Sequence, residues 1–107
     1  MKWLFPLYVG VNAEDKKEKI VSGIKLGKPL INSYVLTLPA CKANQLDIIP
    51  AIELMQPYYK NHELVIVGIA NGKTDAINLV SKIALEATSK LGKADILSYL
   101  KTDRMGD

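Results

Sequence analysis

The residues with the clearest potential for ligand chemistry lie together at positions 68–74, which read GIANGKT. A glycine-containing turn followed by a lysine and a hydroxyl residue is typical of loops that hold phosphate groups. Such loops have four residues between their glycines, because the backbone N–H groups must wrap around the phosphate. Only three residues separate Gly68 from Gly72. The spacing therefore disfavours a nucleotide-hydrolysing site.

A simpler anion site at the same turn is still compatible with these residues. A turn that leads into a helix presents N–H groups with a partial positive charge. Gly72 would let the backbone approach a ligand closely, and Lys73 and Thr74 would add a charge and a hydroxyl. The alternative is that Gly72 only makes the turn while Asn71 or Thr74 caps the helix, which explains these residue types without any ligand.

Three apolar segments predict the strands that would position this turn. Residues 64–69 form an unbroken run rich in valine and isoleucine, which is typical of a strand covered on both faces. Residues 7–11 and 33–38 predict two further strands. Pro6 would stand at the start of the first strand, where a missing N–H costs least.

The segments between and after the strands have the apolar spacing of helices. Predicted helices cover residues 12–27, 50–56 and 73–91, and Gly92 is expected to end the last of them. Residues 94–101 fit a helix or an edge strand, and we favour the helix. The order βαβαβα predicts one α/β domain over residues 1–107, with a three-stranded, mainly parallel sheet and a frayed tail at 102–107.

Parallel strands would bring three loops to one edge of that sheet. Ligands in open α/β sheets bind at the C-terminal ends of the strands, which here lead into loops 10–12, 39–44 and 70–74. The predicted ligand-binding residues are Asn12, Lys42, Asn44, Asn71, Gly72, Lys73 and Thr74. This set is cationic and rich in amides, which favours a small anion or a phosphorylated metabolite.

Catalytic chemistry has one weak candidate in the sequence. Cys41 could act as a nucleophile if Lys42 or a helix N-terminus stabilised its thiolate. The single histidine, His62, precedes the third strand and is expected at the opposite edge of the sheet, so a Cys–His pair is not predicted. One histidine and one cysteine make no zinc cluster of the usual kind. We therefore predict no metal and no cofactor.

Two functional hypotheses follow from these residues. The first is a non-enzymatic binding or accessory module with a small-anion site at the C-terminal edge of the sheet. The alternative is a small enzyme that acts on an anionic or phosphorylated metabolite, with Lys42 and Lys73 holding the charge and Cys41 as nucleophile.

Composition restricts the partners and the compartment. The net charge is only +3, and 13 of the 14 basic residues are lysines, which disfavours nucleic-acid binding. The apolar residues 3–11 are too few to span a bilayer as a helix. A single cysteine is typical of a reducing compartment, so a cytoplasmic protein is expected. The 49% hydrophobic content, with exposed apolar residues expected at 3–5 and 57–59, predicts a homodimer.

Overall fold

Strands and helices both occur in the computed structural model, which describes residues 1–39, 45–60, 63–93 and 95–103. The strands are β1 (Lys2–Val9), β2 (Ser33–Thr37), β3 (Asp47–Pro50) and β4 (Val65–Asn71). The α-helices are α1 (Lys17–Lys25), α2 (Pro57–Lys60), α3 (Lys73–Leu91) and α4 (Ile96–Asp103). Two 3-10 helices, Val11–Lys16 and Ala51–Met55, precede α1 and α2. The fold is therefore mixed α/β.

The four strands form one mixed sheet in the order β1-β4-β2-β3. β1 runs parallel to β4, whereas β2 runs antiparallel to both β4 and β3. The prediction of three mainly parallel strands is therefore wrong. Thr37 pairs with Asp47, ten positions later, and so short a link cannot make the crossover that parallel strands need, so β3 runs antiparallel to β2. A 3-10 helix and α2 then separate β3 from β4, these two strands run in the same direction, and β2 between them runs antiparallel to both.

β4 is the central strand, and both of its faces are buried. Ile66 and Ile69 belong to the core under α1, α2 and the 3-10 helices, and Val67 and Ala70 belong to the core under α3 and α4. The sheet is thus the middle layer between two layers of helices. This arrangement explains why residues 64–69 show no alternation of polar and apolar side chains.

The helix predicted over residues 73–91 is confirmed as α3. It packs Leu79, Ile83 and Ala87 against the sheet, and it ends at Gly92. Gly92 has a φ of 77°, and its N–H donates to the carbonyl of Thr88 at 2.8 Å. A left-handed residue that closes the last turn in this way is most easily a glycine.

Residues 96–103 form a helix. For the described part of residues 94–101, the helix is therefore the correct alternative and the edge strand is not. α4 is fixed to α3 and β1 through one carboxylate. The hydroxyls of Tyr8 and Tyr99 donate to Oε2 of Glu86 at 2.7 and 3.3 Å. One side chain of α3 therefore joins three elements of the same core.

The Cα radius of gyration is 13.2 Å, which is the size of one compact domain of about 100 residues. Within the described ranges, no helix combines the length and the apolar character that crossing a membrane would require.

Candidate ligand-binding crevice

The chain segments at the C-terminal ends of β1 and β4 are held together by backbone hydrogen bonds. The N–H of Gly10, just after β1, donates to the carbonyl of Ile69 in β4 at 2.9 Å. The N–H of Gly72, just after β4, donates to the carbonyl of Asn32 at 2.6 Å. Asn32 immediately precedes β2, so the antiparallel strand begins at this edge instead of ending there. Three segments therefore meet where the parallel pair ends.

The turn between β4 and α3 satisfies much of its own polarity. Gly72 has a φ of 94°, a conformation that favours glycine. Oδ2 of Asp75, in the first turn of α3, accepts a hydrogen bond from the N–H of Asn71 at 3.0 Å. The N–H groups of Asn71 and Gly72 are thus both bonded within the chain. Asp75, which is 5% exposed, also places a negative charge near the positive end of α3.

Next to this turn lies a crevice of about 280 Å³. Its polar lining residues are Lys16, Lys19, Ser33 and Asn71, and its apolar lining residues are Ile20, Pro29, Leu30 and Ile31. Lys16 ends the first 3-10 helix and Lys19 lies in the first turn of α1. The register of β2 with β4 pairs Ser33 directly with Asn71. Two lysines, a serine and an asparagine therefore line one small space.

The predicted ligand-binding residues divide into three groups in the structure. Asn71 lines the crevice, and Gly72 stands next to it in the turn. Lys73 and Thr74 are exposed on the first turn of α3, and Asn12 is exposed on the first 3-10 helix, outside the crevice lining. Lys42, Asn44 and the candidate nucleophile Cys41 lie outside the described residues.

The expectation that the loop after β2 reaches this edge is wrong for its described part. Because β2 is antiparallel to β4, its last residues lie beside the beginning of β4: the N–H of Leu38 donates to the carbonyl of Val65 at 3.0 Å. Leu38 and Pro39 also line a cavity at that opposite edge. The crevice therefore draws its positive charge from Lys16 and Lys19, near the start of α1, instead of from the loop after β2.

Lys16, Lys19 and Ser33 were missed as site residues by sequence reasoning. The two lysines belong to a set of four that point in several directions around a helix axis, namely Lys16, Lys17, Lys19 and Lys25, and this is typical of a solvated face. Ser33 was assigned to the start of the second predicted strand, and in a parallel sheet that start would lie at the opposite edge. Only the direction of β2 brings the three together, and no local pattern in the sequence reports that direction.

The cavity at the opposite edge of the sheet has a different chemistry. It measures about 420 Å³, and Asp47, Glu63, Tyr58 and Tyr59 are among its lining residues. Two carboxylates at its border would repel an anion. The smaller crevice is therefore the better match for the anionic ligand that the sequence predicts.

No metal centre is formed by the described part of the chain. Across residues 1–39, 45–60, 63–93 and 95–103, no three histidine, cysteine, aspartate or glutamate side chains gather closely enough to hold an ion.

Comparison with protein-family models, with curated proteins and with solved structures found no match. Function must therefore be inferred from the residues of the crevice itself.

The surfaces expected to form a homodimer are only partly exposed to solvent. Trp3 and Leu4 are half-buried and pack against the two cores, whereas Phe5 is 61% exposed. Tyr58 is also exposed, and its ring stands at a right angle to that of Tyr59. Homodimerisation stays a prediction, which light scattering coupled to size-exclusion chromatography tests.

Proposed function

We propose that the chain is a non-enzymatic binding module that holds a small anion in the crevice at the C-terminal ends of β1 and β4. The observation that carries this proposal is the charge of the crevice wall. Lys16 and Lys19 supply two positive charges, and none of the described lining residues is a carboxylate. An anion there is attracted by both ammonium groups. The carboxylate of Asp75, which is bonded to the N–H of Asn71, is 5% exposed and does not line the crevice.

Two neutral groups would orient the anion. Ser33 offers a hydroxyl and Asn71 an amide, and both can donate hydrogen bonds to oxygen atoms of a ligand. Because they are paired across β2 and β4, the sheet fixes their separation. Donors on strands are held more rigidly than donors on loops, which lowers the entropic cost of binding.

The size of the crevice restricts the ligand. Its volume of about 280 Å³ is just below the range of about 300 to 1,000 Å³ that is usual for small-molecule sites. Inorganic phosphate, sulfate or a small carboxylic acid fits this space, and a dinucleotide does not. The apolar side chains of Leu30 and Ile31 at the rim would accept a short aliphatic group on an organic anion.

The crevice lining favours binding over catalysis. Its described residues include no carboxylate, histidine or cysteine that could pair with Ser33 as a general base. The alternative, an enzyme with Cys41 and Lys42, depends on residues outside the described ranges, and no observation on the described residues favours it.

Nuclear magnetic resonance titration tests the proposal directly. Inorganic phosphate is added to ¹⁵N-labelled protein at constant ionic strength, and the amide signals are followed. We expect the largest shifts at Ser33 and Asn71. The double variant Lys16→Gln/Lys19→Gln should bind phosphate about tenfold more weakly, because each substitution removes a charge-assisted contact to the anion.

A matched control separates the site from general attraction to lysines. The double variant Lys82→Gln/Lys90→Gln removes the same charge from exposed positions on α3. It should bind phosphate as the unmodified chain does. Equal weakening in the two double variants, or shifts spread over all lysines and absent from Ser33, would contradict the proposal.

A further inference from the structure

An open apolar groove lies between β1 and α1, on the face of the sheet opposite α3. Its volume is about 430 Å³, and it is separate from the anion crevice. Leu7 and Val21 form its inner wall, and Phe5 and Leu26 stand 61% and 66% exposed at its border. Single exposed apolar residues are common, but a contiguous apolar patch marks an interaction site.

Two lysines give the groove a charge as well as a shape. Lys17, Val21 and Lys25 follow one another at intervals of four residues, so they form one ridge of α1. The two lysines are two turns apart, which is about 12 Å along the helix axis. The ammonium group of Lys25 lies 5.6 Å from the centroid of the Trp3 ring, a contact that holds this lysine beside β1. The one carboxylate among the described lining residues is that of Glu18.

A second copy of the chain fits this groove poorly. Two-fold pairing through the groove would bring Lys17 and Lys25 of both copies together, and like charges across an interface are costly. Pairing through the free edge of β1 is also hindered, because Pro6 has no N–H to donate to a partner strand. The charge instead complements a partner that brings carboxylates.

We propose that this groove binds an extended segment of another protein with the pattern acidic–x–apolar–x–acidic. In an extended segment, alternate side chains point to the same side, so these three share one face. The acidic residues are four positions apart, or about 13 Å at 3.3 Å per residue. That separation matches the spacing of Lys17 and Lys25. The apolar side chain between them would pack against Phe5, Val21 and Leu26.

Selection from a random peptide library displayed on phage, with the full chain as bait, tests this proposal. We expect enriched peptides to carry the acidic–x–apolar–x–acidic pattern. Synthetic copies labelled with fluorescein should bind less tightly at high salt, since the salt screens the lysine contacts. The variant Lys17→Glu/Lys25→Glu should bind them at least about tenfold more weakly. Phe5→Ser, at an exposed position, should also weaken binding.

The control is Lys82→Glu/Lys90→Glu, which reverses two exposed charges with the same eight-residue spacing on α3. It should bind the selected peptides as the unmodified chain does. Lack of enrichment, or enrichment of peptides without acidic residues, would overturn the proposal. So would a dimer that Phe5→Ser dissociates, or binding to vesicles of anionic lipid that Phe5→Ser abolishes.

Discussion

Gly10 and Asp75 are packed so closely that only the absence of a side chain at position 10 makes room for the carboxylate. A Cβ atom added to Gly10 would lie 2.6 Å from Cγ of Asp75. The backbone of Gly10 is in an ordinary extended conformation, so the glycine is needed for space and not for its dihedral angles. The same carboxylate accepts the hydrogen bond from Asn71. Asp75 therefore lies against the end of β1 and is also bonded to the end of β4.

The variant Gly10→Ala should therefore destabilise the fold. We expect the free energy of unfolding to fall by about 2 kcal/mol, because the added methyl group must displace a buried side chain. Urea denaturation measures this value. In an Asp75→Ala background the same change should cost less, since the group that it displaces is gone. Equal costs in the two backgrounds would show that the Asp75 carboxylate is not the obstacle.

Replacing Glu86 should loosen α4 and β1 at the same time. Glu86→Ala removes the acceptor that the Tyr8 and Tyr99 hydroxyls share. We expect a loss of about 2 kcal/mol in unfolding free energy, because hydrogen bonds to a charged group are stronger than neutral ones. Lys90→Ala, one turn away at an exposed position, should change stability by less than about 0.5 kcal/mol. A comparable loss in both variants would refute this role for the tyrosine contacts.

Replacing Thr37 with a residue that has no hydroxyl should stabilise the protein. Thr37 is 1% exposed, and its hydroxyl has no hydrogen-bond partner among the described residues. Thr37→Val keeps the branched shape and removes a buried polar group, so unfolding free energy should rise by about 1 kcal/mol. Thr88→Val is the control, because the Thr88 hydroxyl donates to the Ala84 carbonyl at an exposed site. Thermal unfolding of both variants measures the difference, and a destabilised Thr37→Val would contradict the prediction.

The effect of substitutions at Gly92, where α3 ends, should depend on the backbone conformation of this residue and not on side-chain contacts. Apart from Gly92, its chain neighbours and the adjoining helix backbone, no atom of the described residues lies within 4 Å of a Cβ built on Gly92, yet its φ is 77°. Gly92→Ala should lower unfolding free energy by about 1 kcal/mol through this left-handed conformation. Gly92→Asn should lose less, since asparagine tolerates the same region better. Chemical denaturation should give the highest unfolding free energy with glycine at position 92, a lower one with asparagine and the lowest with alanine. Any other order would argue against this cause.

The parts of the fold that were predictable carry their signals locally. The apolar run of β4, the helical spacing of α3 and the glycine at its end are all read within a few residues. Even so, the spacing alone does not tell which apolar residues of α3 are covered: Ile77 is 48% exposed, whereas Leu79 and Ile83 are buried. α3 has apolar residues on two adjoining stripes, and the packing of the sheet decides which stripe is covered.

The parts that were missed depend on contacts between distant residues. β3 has only four residues, Asp47–Pro50, and its proline resembled the first residue of a helix. Without β3, nothing indicated that β2 runs antiparallel to β4. At the candidate crevice, the position of Asn71 could be predicted because it stands at the end of an obvious strand. Ser33 could not, because its place beside Asn71 follows from the direction of β2.

The strand order has a consequence for how the chain is made. β4 is the neighbour of both β1 and β2, yet it is the last strand to be synthesised. Lys2 pairs with Val65, 63 positions later, so at cellular synthesis rates β1 waits roughly 3 to 13 seconds for its partner. During that interval β2 and β3 can already pair with each other. The apolar first strand is therefore the one exposed longest to chaperones and to other nascent chains.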